Sequence, residues 1–283
     1  MTEPPRLRQV LSVAPTGEGH FAGHGSHAGL RQVFGGELIG QGLYAAGLTA
    51  PESADPHSLH AYFMRAGVPG AEIAYTVEAL RDGRSYATRQ VTALQGERAL
   101  LTMLVSFHTA ESSTWHHTPS IPTVPSPDHL PTLSESISSY EDELGAHFKR
   151  ERLVDMRYPG LTPWGSRRTG LRPDTSRLWL RAEQLGSNER LLHFAALAYM
   201  SDMSVLDPAV MRHGLSWDPQ SVRAASLDHA MWFHDVPVAD DWVLFDQSSP
   251  WTGNGRGMAQ AKLFQGDGRL LATVTQEASL RQP

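Results

Sequence analysis

Two stretches of this 283-residue chain repeat one another about 170 positions apart. Leu94-Gln95-Gly96-Glu97 with Leu100-Leu101 recurs as Phe264-Gln265-Gly266-Asp267 with Leu270-Leu271, and His60-Ala61 recurs as His229-Ala230. An internal duplication of one helix-plus-sheet unit is the simplest account, with chance similarity between two amphipathic hairpins as the alternative. The repeat constrains the fold strongly, because one helix covers only part of a sheet face. Two such units side by side give a long sheet with two helices laid against it.

Local patterning supports this. In the first copy Gly35-Gly36 opens a helix whose Leu38, Ile39, Leu43 and Ala46 recur at helical spacing until Gly47 weakens it. Strand-like runs follow at 71–80, 85–94 and 99–108, with turn signals at Asp82-Gly83 and Gln95-Gly96. In the second copy Ser187-Asn188 offers an N-cap, and Leu191, Ala195 and Ala198 mark one helix face up to about Ser201. Strands are expected at 224–233, 242–248, 257–264 and 270–280, with Trp232 and Phe233 read as core. Between the copies regular periodicity disappears into a proline-rich stretch. It reads as a linker over 116–165, with one short helix between about Ser134 and Phe148. The chain thus divides into an N-terminal unit (1–115), the linker and a C-terminal unit (166–283) that carries the reactive residues.

Composition removes several function classes. A formal net charge of −6 leaves no basic field for nucleic acid or an anionic membrane, though a local patch could still hold a phosphorylated ligand. The absence of cysteine excludes disulfides, thiolate nucleophiles and Cys-ligated metals. No apolar run reaches the ~18 residues of a membrane span. No signal-peptide run follows the first residues, and the last three are not a peroxisomal signal, so the expected location is the cytoplasm.

Two polar residues interrupt apolar patterns, and a third opens a strand. Asp202 continues the helical stripe of Leu191, Ala195 and Ala198, and an acid on the buried side of a helix end is costly unless paired. A frayed end with Asp202 turned to water is the bland alternative. Gln276 shares one strand face with Leu270, Ala272, Val274, Ala278 and Leu280, so its amide projects from a face that otherwise reads as core. A core glutamine bonded to backbone is equally consistent. By the repeat its counterpart is Ser106, so the copies differ where a site would be. Ser226 opens the next strand and alone carries little. Together a carboxylate, a hydroxyl and an amide suit holding a water molecule while the carboxylate takes its proton.

Competing constellations are weaker. Gly17-Glu18-Gly19-His20-Phe21-Ala22 lacks the buried strand and helix of a dinucleotide site and reads as a glycine-rich loop. The 14 histidines form no His-Glu-x-x-His motif, and no Gly-x-Ser-x-Gly elbow occurs. Neither a metal nor a cofactor is expected. Gly253-Asn254-Gly255-Arg256-Gly257 reads as a loop between strands.

Several segments resemble the type II acyl-CoA thioesterases. They are 30–36, Gly40-Gln41-Gly42-Leu43-Tyr44, 57–65 and 80–86 in the first half. In the second half they are Tyr199-Met200-Ser201-Asp202, 226–234 and Val274-Thr275-Gln276-Glu277. The resemblance runs in order from about residue 5 to the end, matching poorly only over 111–166. It implies an α+β double-hotdog fold, two tandem units each with an antiparallel sheet wrapped around a central helix. It also implies homo-oligomers and hydrolysis of acyl-CoA to fatty acid and coenzyme A. The family's catalytic aspartate, hydroxyl and glutamine would fall on Asp202, Ser226 and Gln276. Serine at 226 departs from the threonine of one family member but keeps the hydroxyl. An acyl-CoA-binding or sensing protein and a hotdog enoyl thioester hydratase are the alternatives.

Overall fold

The computed structural model describes residues 6–26, 31–140, 152–182, 185, 189–218 and 220–283. The first half contributes β1 (Ala14–Gly17), β2 (His20–His24), β3 (Ala54–Phe63), β4 (Glu72–Asp82), β5 (Tyr86–Gln95) and β6 (Arg98–Thr109). Helix α1 (Leu7–Leu11) precedes them, and α2 (Gly35–Gly47) lies between β2 and β3. Next come α3 (Leu133–Ser136), β7 (Val154–Arg157), α4 (Pro163–Thr169), β8 (Thr175–Ala182), α5 (Arg190–Ser201) and α6 (Asp207–Arg212). Strands β9 (Arg223–Ser226), β10 (Asp228–Phe233), β11 (Val243–Gly253), β12 (Arg256–Gln265) and β13 (Leu270–Arg281) complete the second half.

One antiparallel sheet runs β1-β2-β4-β5-β6-β3-β10-β13-β12-β11-β8-β7, with β9 also paired to β13. The halves join at the β3–β10 pair, where Ala61 faces His229 and Leu59 faces Met231. Helices α2 and α5 pack together against the inner face, which is the double-hotdog arrangement that the family resemblance implies. No helix among the described residues is long and apolar enough to cross a membrane.

The helix pair sits at the centre of the core. In α5 every residue from Leu192 to Ser201 is buried, so the helix is enclosed on all sides and its stripe is not a single face. Helix α2 carries five glycines in 13 residues, an intrinsic penalty on the order of 3–5 kcal/mol. Burial of Leu38, Ile39 and Leu43, each 2% exposed or less, returns about 1.5–3 kcal/mol per side chain and outweighs it. The glycines also let the helices approach. A Cβ on Gly36 would strike the Tyr199 carbonyl oxygen, and one on Gly40 would come within 3.0 Å of that of Ala195. Gly47 meets Leu191 in the same way, so the two helices run antiparallel. The carboxyl end of α5 therefore lies beside the amino end of α2.

The sequence reading located both central helices and the strands that flank them, and it missed several elements. The Gly17–Ala22 segment is part of a β1–β2 hairpin, with Gly19 taking the positive φ of 67° that its turn needs. Strand β3 was obscured by Pro56 and a register shift between Pro56 and Ser58. Strand β7 falls inside 116–165 and pairs with β8 at the sheet edge. Helix α3 is a single turn capped reciprocally by Thr132 and Glu135, followed by a 3-10 turn at Ser138–Tyr140. The rest of the helix expected there, and the Ser187-Asn188 cap, lie outside the described residues. Gly253 and Gly257 belong to strands, and the turn itself is Asn254-Gly255, both with positive φ. Phe233 is core, but Trp232 is 38% exposed on the outer face, edge-on to His60.

Candidate active site

Asp202 is the C-cap residue of α5, with φ −87° and ψ −6°. The antiparallel helix pair brings its carboxyl group to the amino end of α2, where a Cβ on Gly35 would lie 2.7 Å from Asp202 Oδ2. The ring of Phe63 flanks the same spot. Desolvation there pushes the Asp202 pKa up to about 6, against the hydrogen bonds it accepts from Gln276, the Gly36 backbone N–H and Ser226. The positive end of the α2 dipole works in the same sense as those bonds.

Gln276 lies on the inner face of β13 and is 1% exposed. Its Nε2 donates to Ser226 Oγ at 2.9 Å, and Ser226 Oγ donates to Asp202 Oδ1 at 3.4 Å. Ser226 reaches this point because β9 pairs with β13 and sets Ser226 opposite Ala278. All three residues singled out from the sequence thus meet in one cluster. They touch one another directly instead of standing around a central gap, so a water would sit on the open side of the half-buried Asp202. A cavity of about 220 Å³ bounded by Val124, Leu161, Ser176 and Met211 contains none of them.

The expected counterpart, Ser106, does not occupy the matching position. It lies on the outer face of β6, 2.8 Å from His57 Nε2, and its inward neighbours Val105 and Phe107 are apolar. Matching identical letters across the repeat slipped the register by one residue, which exchanges the faces of a strand. The same slip paired exposed His60 with His229, which is fully buried.

Sequence reasoning missed two groups around the cluster. His229 sits on the inner face of β10, with Nδ1 bonded to Gln276 Oε1 and Nε2 2.9 Å from Ser201 Oγ. Burial drives its pKa down to about 4, so the ring is neutral near pH 7. The second group is a buried acid just after Asp202. Asp207 accepts from Tyr158 Oη at 2.6 Å and Trp217 Nε1 at 2.5 Å, and burial pushes its pKa up to about 7. Tyr158 follows β7 directly and also reaches Ser204 Oγ at 3.3 Å, so the edge strand helps hold the segment that carries Asp202. The sequence signal for Asp207 is the apolar run of Val205, Leu206, Ala209 and Val210 around it, and for His229 it is the alternation with Met231 and Phe233.

Comparison with known proteins bears on the family and the fold. Residues 24–108 match the family model described as acyl-CoA thioesterase N-terminal domain, and residues 122–280 that of the acyl-CoA thioesterase C-terminal domain. The chain is 32% identical to acyl-coenzyme A thioesterase 8 of Homo sapiens over 281 residues, covering 96% of this chain and 88% of that protein. It superposes on an acyl-CoA thioesterase II of Mycobacterium marinum with a TM-score of 0.80 and 33% identity, covering 98% of each chain. A protein of hot dog fold from Alicyclobacillus acidocaldarius, at 20% identity and a TM-score of 0.78 over 98% of each chain, supports the fold alone. Two matched halves, a continuous double sheet and relatives spanning nearly the whole chain give one conclusion: the chain belongs to the type II acyl-CoA thioesterases, a double-hotdog family of thioester hydrolases.

Proposed function

We propose that the protein hydrolyses fatty acyl-CoA by attack of a water molecule held at Asp202, Ser226 and Gln276. The observation that carries this is the convergence of two side-chain donors and the Gly36 N–H on one desolvated carboxylate. Asp202 accepts a proton as the water oxygen bonds to the thioester carbon. Ser226 and Gln276 fix the water and the carboxylate in register, so little reorganisation is needed during attack. The developing oxyanion is met by the positive end of α2. Collapse breaks the C–S bond, and the thiolate of coenzyme A leaves with the proton that Asp202 took up. The chemistry requires no metal or cofactor. In this reading the C-terminal unit, residues 166–283, supplies the side chains, and the N-terminal unit supplies the helix end.

The proposal includes a cytoplasmic homo-oligomer. Location rests on the sequence reading. Assembly draws support from apolar side chains left open on the outer face of the central strands, among them Tyr62 at 62% and Leu104 at 45% exposure.

Thiol release from a panel of acyl-CoA substrates, followed with a chromogenic trap, tests the activity. Binding without release would instead indicate a sensor, and water addition without release a hydratase. A single turnover in isotope-labelled water tests the chemistry. Label found in the Asp202 carboxyl group would replace water attack by an anhydride at Asp202.

A further inference from the structure

Ser201 and His229 have no part in the steps above, yet both are fully buried, with His229 bonded to Gln276 and Ser201 to His229. The Gln276 amide explains why this matters. Turned by half a rotation, an amide exchanges donor for acceptor with almost no change in shape, so packing alone does not hold it one way. One orientation gives its NH2 to Ser226 and Asp202. The other sets its carbonyl oxygen against a carboxylate.

The neutral His229 ring carries a single N–H. Only with that proton on Nδ1 does the ring donate to Gln276 Oε1. Nε2 is then an acceptor facing Ser201 Oγ at 2.9 Å. Ser201 also donates to the Ala198 carbonyl at 2.7 Å, so its one proton is shared between two acceptors. From the ring onward the donors then run in one direction: His229 to Gln276, Gln276 to Ser226 and Ser226 to Asp202. In the first half the inward pairs between β3 and β6 are Leu59–Val105 and Ala61–Met103, with nothing to orient.

We propose that His229, as its Nδ1–H tautomer, is a positioning residue that locks the Gln276 amide with its NH2 toward Ser226 and Asp202. This rests on the reading of Asp202, Ser226 and Gln276 as the reacting cluster.

The tautomer is measured directly on the full-length wild-type protein by nitrogen-15 NMR of labelled histidine, assigning His229 through its contacts with the Gln276 side chain. An Nδ1–H signature at neutral pH is expected, and an Nε2–H signature overturns the proposal. Kinetics give a second reading. His229→Asn places an amide N–H near the Nδ1 position and keeps the donation, whereas His229→Gln reaches the Nε2 position and loses it. His229→Gln is expected to lower kcat by ~30-fold with KM within ~3-fold, and His229→Asn to stay within ~5-fold of wild type. Equal losses in both variants, or a change confined to KM, overturn the proposal. In a Gln276→Ala background the His229→Gln change should add less than ~3-fold, because its only route to the chemistry is gone. Fully multiplicative losses would contradict this. Should Gln276→Ala alone turn over like wild type, the reading of the reacting cluster fails, while the tautomer measurement still decides the assignment at His229.

Discussion

The two ends of the central helix pair are related by the duplication and have been used in opposite ways. At one end α5 finishes on Asp202 against the glycines that open α2. At the other α2 finishes on Leu48, a C-cap residue 47% exposed, and the Leu191 side chain fills the space beside Gly47. That second end is closed by structural bonds. Tyr44 donates to Glu189 at 2.7 Å, and Arg190 pairs with Asp55. The strand pairs differ in the same sense, His229 and Gln276 in one half against Leu59–Val105 in the other. In the proposed mechanism the repeated fold thus keeps one reactive end and uses the other for stability. The surviving end needs both halves, since the carboxylate comes from one and the helix amino terminus from the other.

The largest effect should come from removing the charge that distinguishes the ends. General-base assistance is worth ~10²–10⁴-fold, so Asp202→Asn should lower kcat at least ~100-fold. Turnover near wild type would remove Asp202 from the chemistry. The same change should stabilise the protein at high pH. The folded pKa of about 6 lies above the ordinary 3.8, so folding binds this proton more tightly. The stabilisation that results is complete below about 3.8 and is lost as pH rises through about 6. Denaturant titrations should therefore show Asp202→Asn gaining on wild type as pH climbs, by on the order of 1–3 kcal/mol at pH above about 7. A constant difference across pH would indicate that the carboxyl group is not desolvated.

That value also shapes the pH profile. With Asp202 as the proposed base, kcat/KM should fall about tenfold per pH unit below an apparent pKa of about 6 and level off above it. Because kcat/KM reports the free enzyme, an acid limb near the ordinary carboxylate value would mean that the Asp202 carboxyl group is not desolvated before substrate binds.

How much of this was legible from the chain depends on the kind of pattern involved. Gln276 was visible because a strand alternates strictly, and one amide among Ala272, Val274 and Ala278 stands out. Asp202 was visible because helical spacing carried it onto the interior side. Ser226 could be placed only through the family resemblance, since its position depends on pairing between β9 and β13. His229 looked like a marker of the repeat, because identical letters were matched without regard to facing. The contribution of α2 was hidden for a different reason. A backbone N–H has no sequence signature, and Gly36 approaches Asp202 only because the helices pack antiparallel. Strands β3 and β7 escaped notice for local reasons, a proline with a register shift in one and only four residues in the other.

Glycine substitutions at the two ends compare them directly. Gly35→Ala puts a methyl group 2.7 Å from Asp202 Oδ2 and 3.0 Å from the Phe63 ring. Displacing the carboxyl group should cost ~10-fold or more in kcat with little loss of stability. Gly47→Ala meets only the flexible Leu191 side chain. The helix gain of about 0.5–1 kcal/mol is offset by repacking, and activity should be unchanged. Equal activity losses in the two variants would mean that the helix pair as a whole, not its reactive end, is being perturbed. Ser226 gives a smaller contrast. Ser226→Ala should lose ~10-fold, whereas Ser226→Thr keeps the hydroxyl and should stay within ~3-fold.

The smallest effect is expected from restoring an acid at the silent end. Leu48→Asp puts a carboxyl group at the position that Asp202 holds on α5, and Leu48 is exposed enough to accept it at a cost near that of any surface change. In an Asp202→Asn background it should recover no measurable thiol release. The exposed carboxylate would keep an ordinary pKa and face no inward amide or hydroxyl. Leu191 would also stand where Gly35 leaves room for the reactive group at the other end. Recovery of even a few per cent of wild-type kcat would mean that a carboxylate at a helix end is sufficient. It would also mean that Ser226 and Gln276 only tune a reaction they were held here to organise.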